Sequence, residues 1–443
     1  MIELQAGPFK TAHDAGNRSY ACRAVFTFSD ETTLEVRDGQ IWDGSFRFDN
    51  AVSGQSAFEI GACIINQLSF TLNNITGDYD GCTFAGAQVV AYIGLYDSEG
   101  ALLPQTDGGT DYWIQKGVYY VDEVDTNGDL IKLTCLDAMA NFDVPLSELD
   151  PADWHSKNSQ TGEPTQFSTP WLLFHGICDY CGVPTDVVER DIIQFLNNAN
   201  YTLFYQFNAN QIASLSCRDA LSALCQFLGV YATIDRFGLL RLMYIRHQGT
   251  VHEMTTAAMT QFSRSETDVI ITGIIITATD GKIYSRGSDA YPIQLDQNMI
   301  NSGYADKVAQ GLYRLFAGMT FRPFEATHLP DVTIEAGDNI RITDRAGNVY
   351  QSVITHTEFS PGRMQTTECN ADPAAAASGT RYSAAAKAIS RAAVATYEAL
   401  PDKPSINSVT LEGNQTGDTL GLVDETDALS NEEIEALLAQ ADS

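Results

Sequence analysis

The residues of this chain best suited to chemistry by type and spacing are His175, Cys178 and Cys181. Three soft ligands at i, i+3 and i+6 partly share one face of a helix, and imidazole with thiolate suits zinc. A structural zinc site takes four ligands, however, and no second Cys pair or nearby His supplies the fourth. The apolar neighbours Phe174 and Ile177 instead predict a helix packed on a core, with the trio as core and surface residues. Asp125, Asn127 and Asp129 alternate like calcium ligands, but the glycine falls between Asn127 and Asp129 and no Glu follows at the required distance. A hairpin turn accounts for them more simply.

Other catalytic signatures are missing. There is no Gly-x-Ser-x-Gly elbow, no His-Glu-x-x-His and no Walker loop. Gly413 to Gly417 is a glycine-bracketed loop without the Lys-Ser/Thr ending of a phosphate cradle. The seven histidines are scattered, none beside a nucleophile. The reading is therefore not an enzyme, with no catalytic residue, no cofactor and no metal expected. Two alternatives stay open. One is a cell-wall or polysaccharide hydrolase, whose paired carboxylates would be neighbours in space rather than in sequence. The other is a carbohydrate-binding adhesin, with Trp113, Tyr119 and Tyr120 as candidate aromatics, although packing within strands explains these residues better.

The elements that would position these residues are mostly strands. Up to about Val144, alternating runs at Tyr20–Phe28, Ser69–Leu72, Ala87–Leu95, Trp113–Asp122 and Leu130–Leu136 are separated by turns, with Asn127-Gly128 marking a hairpin. Many short strands of this kind predict a barrel or sandwich. From Pro145 the period changes. Ser168-Thr169-Pro170 opens a helix with Trp171, Phe174, Ile177 and Cys178 as its apolar stripe, and Gly182 ends it. Ser216 and Asp219 form a capping-box pattern ahead of Leu221, Leu224, Cys225 and Leu228, and Gly229 is the stop. A hairpin at Val230–Ile245 follows. Val269–Thr277 reads as one strongly β-branched strand, and Tyr304, Val308, Leu312 and Leu315 lie on one helix face. The stretch from Asp331 to Thr367 reads as a hairpin turning at Asp344–Asn348 and a final strand after Ser360-Pro361-Gly362.

Beyond Cys369 the composition changes. Thr380–Leu400 is an Ala-rich helical pattern in which Tyr382, Ile389 and Thr396 fall seven apart, and Pro401 and Pro404 break it. Residues 401–443 hold ten acidic residues and one basic one, too little apolar material to form a core alone. Within them Val409–Leu411 reads as a short strand, and Ser430 and Glu433 as a second capping box.

Charge narrows the function. Asp plus Glu number 57 against 26 Lys plus Arg, a formal net charge of −31, which repels phosphate backbones and argues against nucleic-acid binding. No run of about 18 apolar residues reads as a membrane span, and the first residues lack the pattern of a signal peptide. The nine scattered cysteines, among them Cys63, Cys135, Cys217 and Cys225 in apolar company, read as core residues of a protein that folds in a cytoplasm.

Several segments together resemble a known family. Lys116–Asp122 followed by Lys132–Met139 is similar to the N-terminal domain of the central tail-tip hub proteins of long-tailed phages and prophages, the tail-associated lysin or prophage endopeptidase tail family. Ser216–Leu242, with Arg218-Asp219-Ala220-Leu221 and Asp235–Leu240, resembles the middle of that hub, and so does Ile334–Ile340. Pro404–Thr416 and Ser430–Ile434 resemble segments of phage tail and structural proteins. The resemblance spans about residues 20–443 and rests on the shared order of modest motifs. It implies a homotrimeric baseplate hub of the virion, assembled in the host cytoplasm. The hub would join the tail tube to fibre or receptor-binding parts and form part of the DNA ejection channel without gripping DNA. Its implied partners are the distal tail protein, the tape-measure protein and a tail fibre or receptor-binding protein, the last through residues 401–443. Many relatives continue into a lytic domain after the hub. This chain has the Ala-rich pattern and acidic tail there, so no hydrolase activity is expected.

The expected fold class is α+β, mainly β: two β-barrel-like domains, an α/β insertion and a C-terminal helical extension. The expected division is 1–144 (N-terminal barrel-like), 145–250 (mixed α/β), 251–370 (second β-rich), 371–400 (helical linker) and 401–443 (acidic extension).

Overall fold

The alternating run at the start of the chain becomes β1 (Tyr20–Thr27), with Ala24 and Phe26 buried and Arg23, Val25 and Thr27 half-buried. In the computed structural model, residues 2–16, 18–54, 60–199, 205–245, 251–296 and 299–370 are described, together with 405–406 and 409–410. Six further strands follow: β2 (Thr33–Arg37), β3 (Arg47–Ala51), β4 (Gln67–Asn73), β5 (Gln88–Leu95), β6 (Ile114–Asn127) and β7 (Leu130–Leu136). The β6–β7 hairpin turns through Gly128 at φ 61, a left-handed conformation that glycine adopts without steric cost.

These strands do not close into the expected N-terminal barrel, and no second barrel forms among the described residues. Instead strands from the first 136 residues and from residues 259–369 build one eleven-stranded antiparallel sheet. Its order from one edge is Met259–Arg264, Phe324–His328, Gln365–Cys369, His356–Phe359, β3, β4, β7, β6, β5, β1, β2. The joint is the pair His356–Phe359 with β3, in the register His356↔Ala51 to Phe359↔Phe48. At the far end the sheet curls, so that Trp42 N–H donates to Thr71 O at 2.7 Å and Asn73 N–H to Gln40 O at 2.8 Å, without a strand pair completing a circle. The reason lies in the core. Phe359 sits 6.0 Å from Phe48, which meets Phe46 at 5.3 Å, and Phe46 meets Phe70 at 5.1 Å. Val332 and Phe359 are buried with Phe26, Phe84 and Tyr119 in one apolar cluster, so the two regions share a core.

Between them lies the α/β region. Thr169 Oγ1 accepts the Leu172 N–H at 3.2 Å and caps the helix Pro170–Tyr180, as the sequence predicts. Ser216 Oγ accepts the Asp219 N–H at 3.0 Å and starts the helix Cys217–Leu228, which Gly229 ends at φ 73. A Cβ on Gly229 would come within 2.9 Å of Leu312, so glycine also lets the helix Ser302–Phe316 approach. A third helix, Glu189–Asn198, has no counterpart in the sequence reading.

Val269–Thr277 is not one strand. It divides into Val269–Ile270, paired with Thr320–Phe321, and Gly273–Thr277, which lies between Ile283–Gly287 and a parallel Pro292–Asp296. Gly273 makes the change of sheet feasible, because a Cβ there would sit 2.2 Å from Ser288 O. The hairpin Asn339–Thr343 and Val349–Val353 forms as expected, with Val251–Thr255 added in parallel to its first strand. Its turn is held by Asp344, whose carboxylate accepts from Ala346 N, Asn348 N, Asn348 Nδ2 and the Tyr350 hydroxyl, each at 2.9 Å. Residues 2–370 belong to one compact unit, and the strand pair Ser405–Ile406 with Val409–Thr410 belongs to another. The expected Ala-rich helix, the Gly413–Gly417 loop and the second capping box lie outside the described residues.

Candidate functional site

Where the regions meet, the sheet leaves a cleft of about 260 Å³. One wall comes from β3, the residue before β4, β6 and the residues after β7: Asn50, Asn66, Lys116 and Asp137. The other comes from the hairpin Tyr231–Ile234 and Leu240–Met243 and from the loop Glu335–Asp338.

Lys116 is the centre of this seam. It is 4% exposed, and its ammonium donates to Val332 O at 3.0 Å and Ile334 O at 3.2 Å. Nζ also lies 5.6 Å from the centroid of the Phe359 ring. Burial pulls its pKa down, and the charges of Glu335, Asp338 and Asp331 offset part of that pull. Beside it, Gln115 Nε2 donates to Arg236 O at 2.8 Å. On the opposite wall Tyr231 is buried, and its hydroxyl lies where a Cβ on Gly337 would come within 2.2 Å of the oxygen. Gly337 has φ +95, so both backbone conformation and space require glycine there.

Four carboxylates pair with histidines around the cleft. Asp331 accepts from His13 Nε2 at 3.2 Å and from Thr333 N at 2.9 Å, and it pairs with Arg18 at 3.3 Å. Burial pushes the Asp331 carboxyl up, but the His13 hydrogen bond and the charges of His13 and Arg18 prevail and hold it well below the usual range. Asp338 is half-buried and meets His252 Nε2 at 3.0 Å; partial burial pushes its carboxyl up, but the His252 hydrogen bond helps to lower it overall. Asp49 and Glu368 flank His356, at 2.9 and 3.5 Å. Their hydrogen bonds push the imidazole up to about 9.

Asp137 has the opposite environment. It is 3% exposed, Oδ1 accepts the Met139 N–H at 3.1 Å, and Oδ2 has no hydrogen-bond partner among the described residues. Burial pushes this carboxyl up to about 7, only partly offset by Asn66 and Met139.

The candidates read from the sequence do not gather here. His175 is exposed and pairs with Asp179 at 3.3 Å, while Cys178, one turn on, is buried and Cys181 lies half-buried beside Cys217. Among the described residues no three His, Cys, Asp or Glu side chains are placed to hold a metal. Asp125 and Asn127 lie on the exposed end of β6, and Asp129 in its turn. Tyr119 faces the core, Tyr120 accepts from Gln88 Nε2 at 3.2 Å, and Trp113 lies under Arg23 and Arg37 at 5.6 and 5.8 Å. The sequence reading passed over Lys116, Asp137 and Asn50. A lysine at an inward position of the strand, in phase with the buried Ile114, was the available signal for the first of these.

No described protein family matches the chain, and no curated protein does. Among solved structures, the chain is similar to the 43 kDa tail protein of prophage MuSo2 from Shewanella oneidensis. That match has 13% identity and a TM-score of 0.46, and covers 78% of this chain and 97% of the other. It is also similar to a chain of the Francisella PdpA-VgrG complex, at 9% identity and TM-score 0.41, covering 81% of this chain and 60% of that one. A chain of the phage P2 baseplate in its activated conformation matches at 9% identity and TM-score 0.28, covering 80% of this chain and 99% of that one. The solved structures that the chain resembles thus include phage tail and baseplate proteins. No helix among the described residues is long and apolar enough to cross a membrane.

Proposed function

We propose that this chain is a structural component of a phage tail tip, a central hub that assembles as a homotrimer and lines part of the ejection channel. One observation carries the reading. The segments that resemble hub proteins, 116–122, 132–139, 216–242 and 334–340, are far apart in the chain yet pack together at one seam. Lys116 holds the Ile334 carbonyl, Gln115 holds Arg236, Tyr231 abuts Gly337, and β6 pairs with β7. Motifs that converge on the join between two regions serve the geometry of a platform.

In this reading the body carries the ring, bound to a distal tail protein and a tape-measure protein. Residues 401–443 reach a fibre or receptor-binding protein. DNA passes without specific contacts, which a net charge of −31 favours. The particle assembles in the host cytoplasm and carries no hydrolase activity. Residues 1–144, 145–250, 251–370, 371–400 and 401–443 are the working divisions for truncation. Light scattering of the full chain, alone and with a distal tail protein, tests the proposal. A mass of three chains is expected, and a stable monomer that never enters purified tails would overturn it. Zymography on peptidoglycan tests the absence of lytic activity: a cleared zone that disappears on changing one carboxylate would make the chain an enzyme.

A further inference from the structure

We infer that the pocket formed on the outer face of the large sheet by Arg47, Lys132 and Arg363 binds a phosphate group. The inference is independent of the hub reading. Register places the first two cations on one surface. Arg47 of β3 lies opposite Ser69 of β4, and Thr71 of β4 lies opposite Lys132 of β7. These four alternate with the buried Phe48, Leu68, Phe70, Ile131 and Leu133, so their side chains stand on the face away from the core. Arg363 reaches the same pocket from the turn after His356–Phe359, and its Nε lies where a Cβ on Gly44 would come within 3.0 Å. The walls are held in place. Ser360 Oγ donates to Phe46 O at 2.8 Å and ties down the turn, and Ser45 Oγ accepts the Thr71 N–H at 3.0 Å and ties the loop before β3 to β4.

Three cations around a space of about 220 Å³ stand out in a chain of net charge −31. One carboxylate, Glu358, lines the pocket, and Arg47 pairs with it at 2.8 Å. Lys132 and Arg363 make no side-chain hydrogen bond or ion pair among the described residues. Two uncommitted positive charges therefore border one pocket, together with the Ser69 and Thr71 side chains. A phosphate group carries a charge of about −1.5 to −2 and at least three acceptor oxygens, which matches two cations and two hydroxyl donors. A guanidinium pairs with two of those oxygens, and an ammonium adds a point charge. A carboxylate offers one charge and two oxygens, and would leave one of the cations uncompensated.

The probe is inorganic phosphate at about pH 8, where the dianion predominates, titrated with the full chain at constant ionic strength and followed by phosphorus NMR line width. Saturable broadening is expected. Arg363→Gln and, independently, Lys132→Gln should each weaken binding about five- to tenfold, because each removes a charged hydrogen bond. Both side chains are exposed, so the variants should fold as the parent does. Arg345→Gln makes the same change of charge in the distant Asp344–Asn348 turn and should leave binding as it was. Acetate, added as a competitor, should displace phosphate only weakly. Glycerol phosphate separates the two sources: tighter binding than inorganic phosphate assigns the pocket to a phosphate carried on a larger molecule, and equal or weaker binding to the free ion. Absent or unsaturable broadening, equal competition by acetate, or a loss in Arg345→Gln as large as in the pocket variants would overturn the inference and leave solvated surface cations.

Discussion

The Lys116 ammonium donates to the Val332 carbonyl at 3.0 Å across 216 residues of chain. Lys116 comes from the first strand region and Val332 from the last, and the bond is buried. Lys116→Met keeps most of the volume but leaves the Val332 and Ile334 carbonyls without their donor. A loss of about 2–4 kcal/mol is expected. Urea denaturation of the full chain measures it as a lower midpoint at unchanged slope.

Gly337 and Tyr231 approach each other closely in the cleft. Gly337→Ala would place a methyl 2.2 Å from the Tyr231 oxygen and strain a backbone at φ +95. A destabilisation of about 1–3 kcal/mol follows. Tyr231→Phe in the same background should return part of it, and the double-mutant cycle separates the clash from the backbone strain.

Phe359 belongs to the strand that joins the two regions and is fully buried against Phe48. Phe359→Ala should cost about 3–5 kcal/mol. Because the core is shared, far-UV circular dichroism and tryptophan fluorescence should report one coincident transition in the variant as in the parent. Two separated transitions would mean that the regions fold independently.

His356 makes stability depend on alkaline pH. Its folded-state pKa is raised to about 9 from 6.5, by Asp49 first and then Glu368. The contribution is complete below the unfolded value and disappears as pH rises through about 9. Asp49 and Glu368 are lowered by the same pairing, so their share is lost as pH falls through the acidic range. His356→Gln should flatten the melting temperature between pH 6.5 and about 9 and leave a parent-like chain above it. A parent curve already flat over that interval would refute the pairing.

Deleting residues 401–443 should leave the body folded, with an unchanged melting transition, and weaken attachment of a distal tail component in a pull-down. The hub proposal requires the second outcome and the domain boundary the first.

Local features were legible in the sequence. Thr169, Ser216 and Gly229 sit at the helix ends their chemistry predicts, and Asn127-Gly128 and Asp344–Asn348 turn where expected. What depended on distant partners was not legible. Nothing in Val251–Thr255 announces a parallel neighbour at Asn339–Thr343, and β3 carries no mark of its pairing with His356–Phe359. Periodicity reports which face of a strand is buried, not which strand lies beside it, so one curled sheet read as two barrels. Asp137 was invisible for a similar reason, because its isolation depends on who surrounds it.

The union of β3 with His356–Phe359 also sets a clock. His356 and Asp49 are 307 residues apart, and the sheet between them lacks its middle until the later strand exists. At about 5–20 residues per second, translation leaves β3 waiting roughly 15–60 s for that neighbour. Until then the nascent chain presents an unfinished edge, and its completed surface appears only with the last strands. A chain built this way cannot present its finished surface half-made.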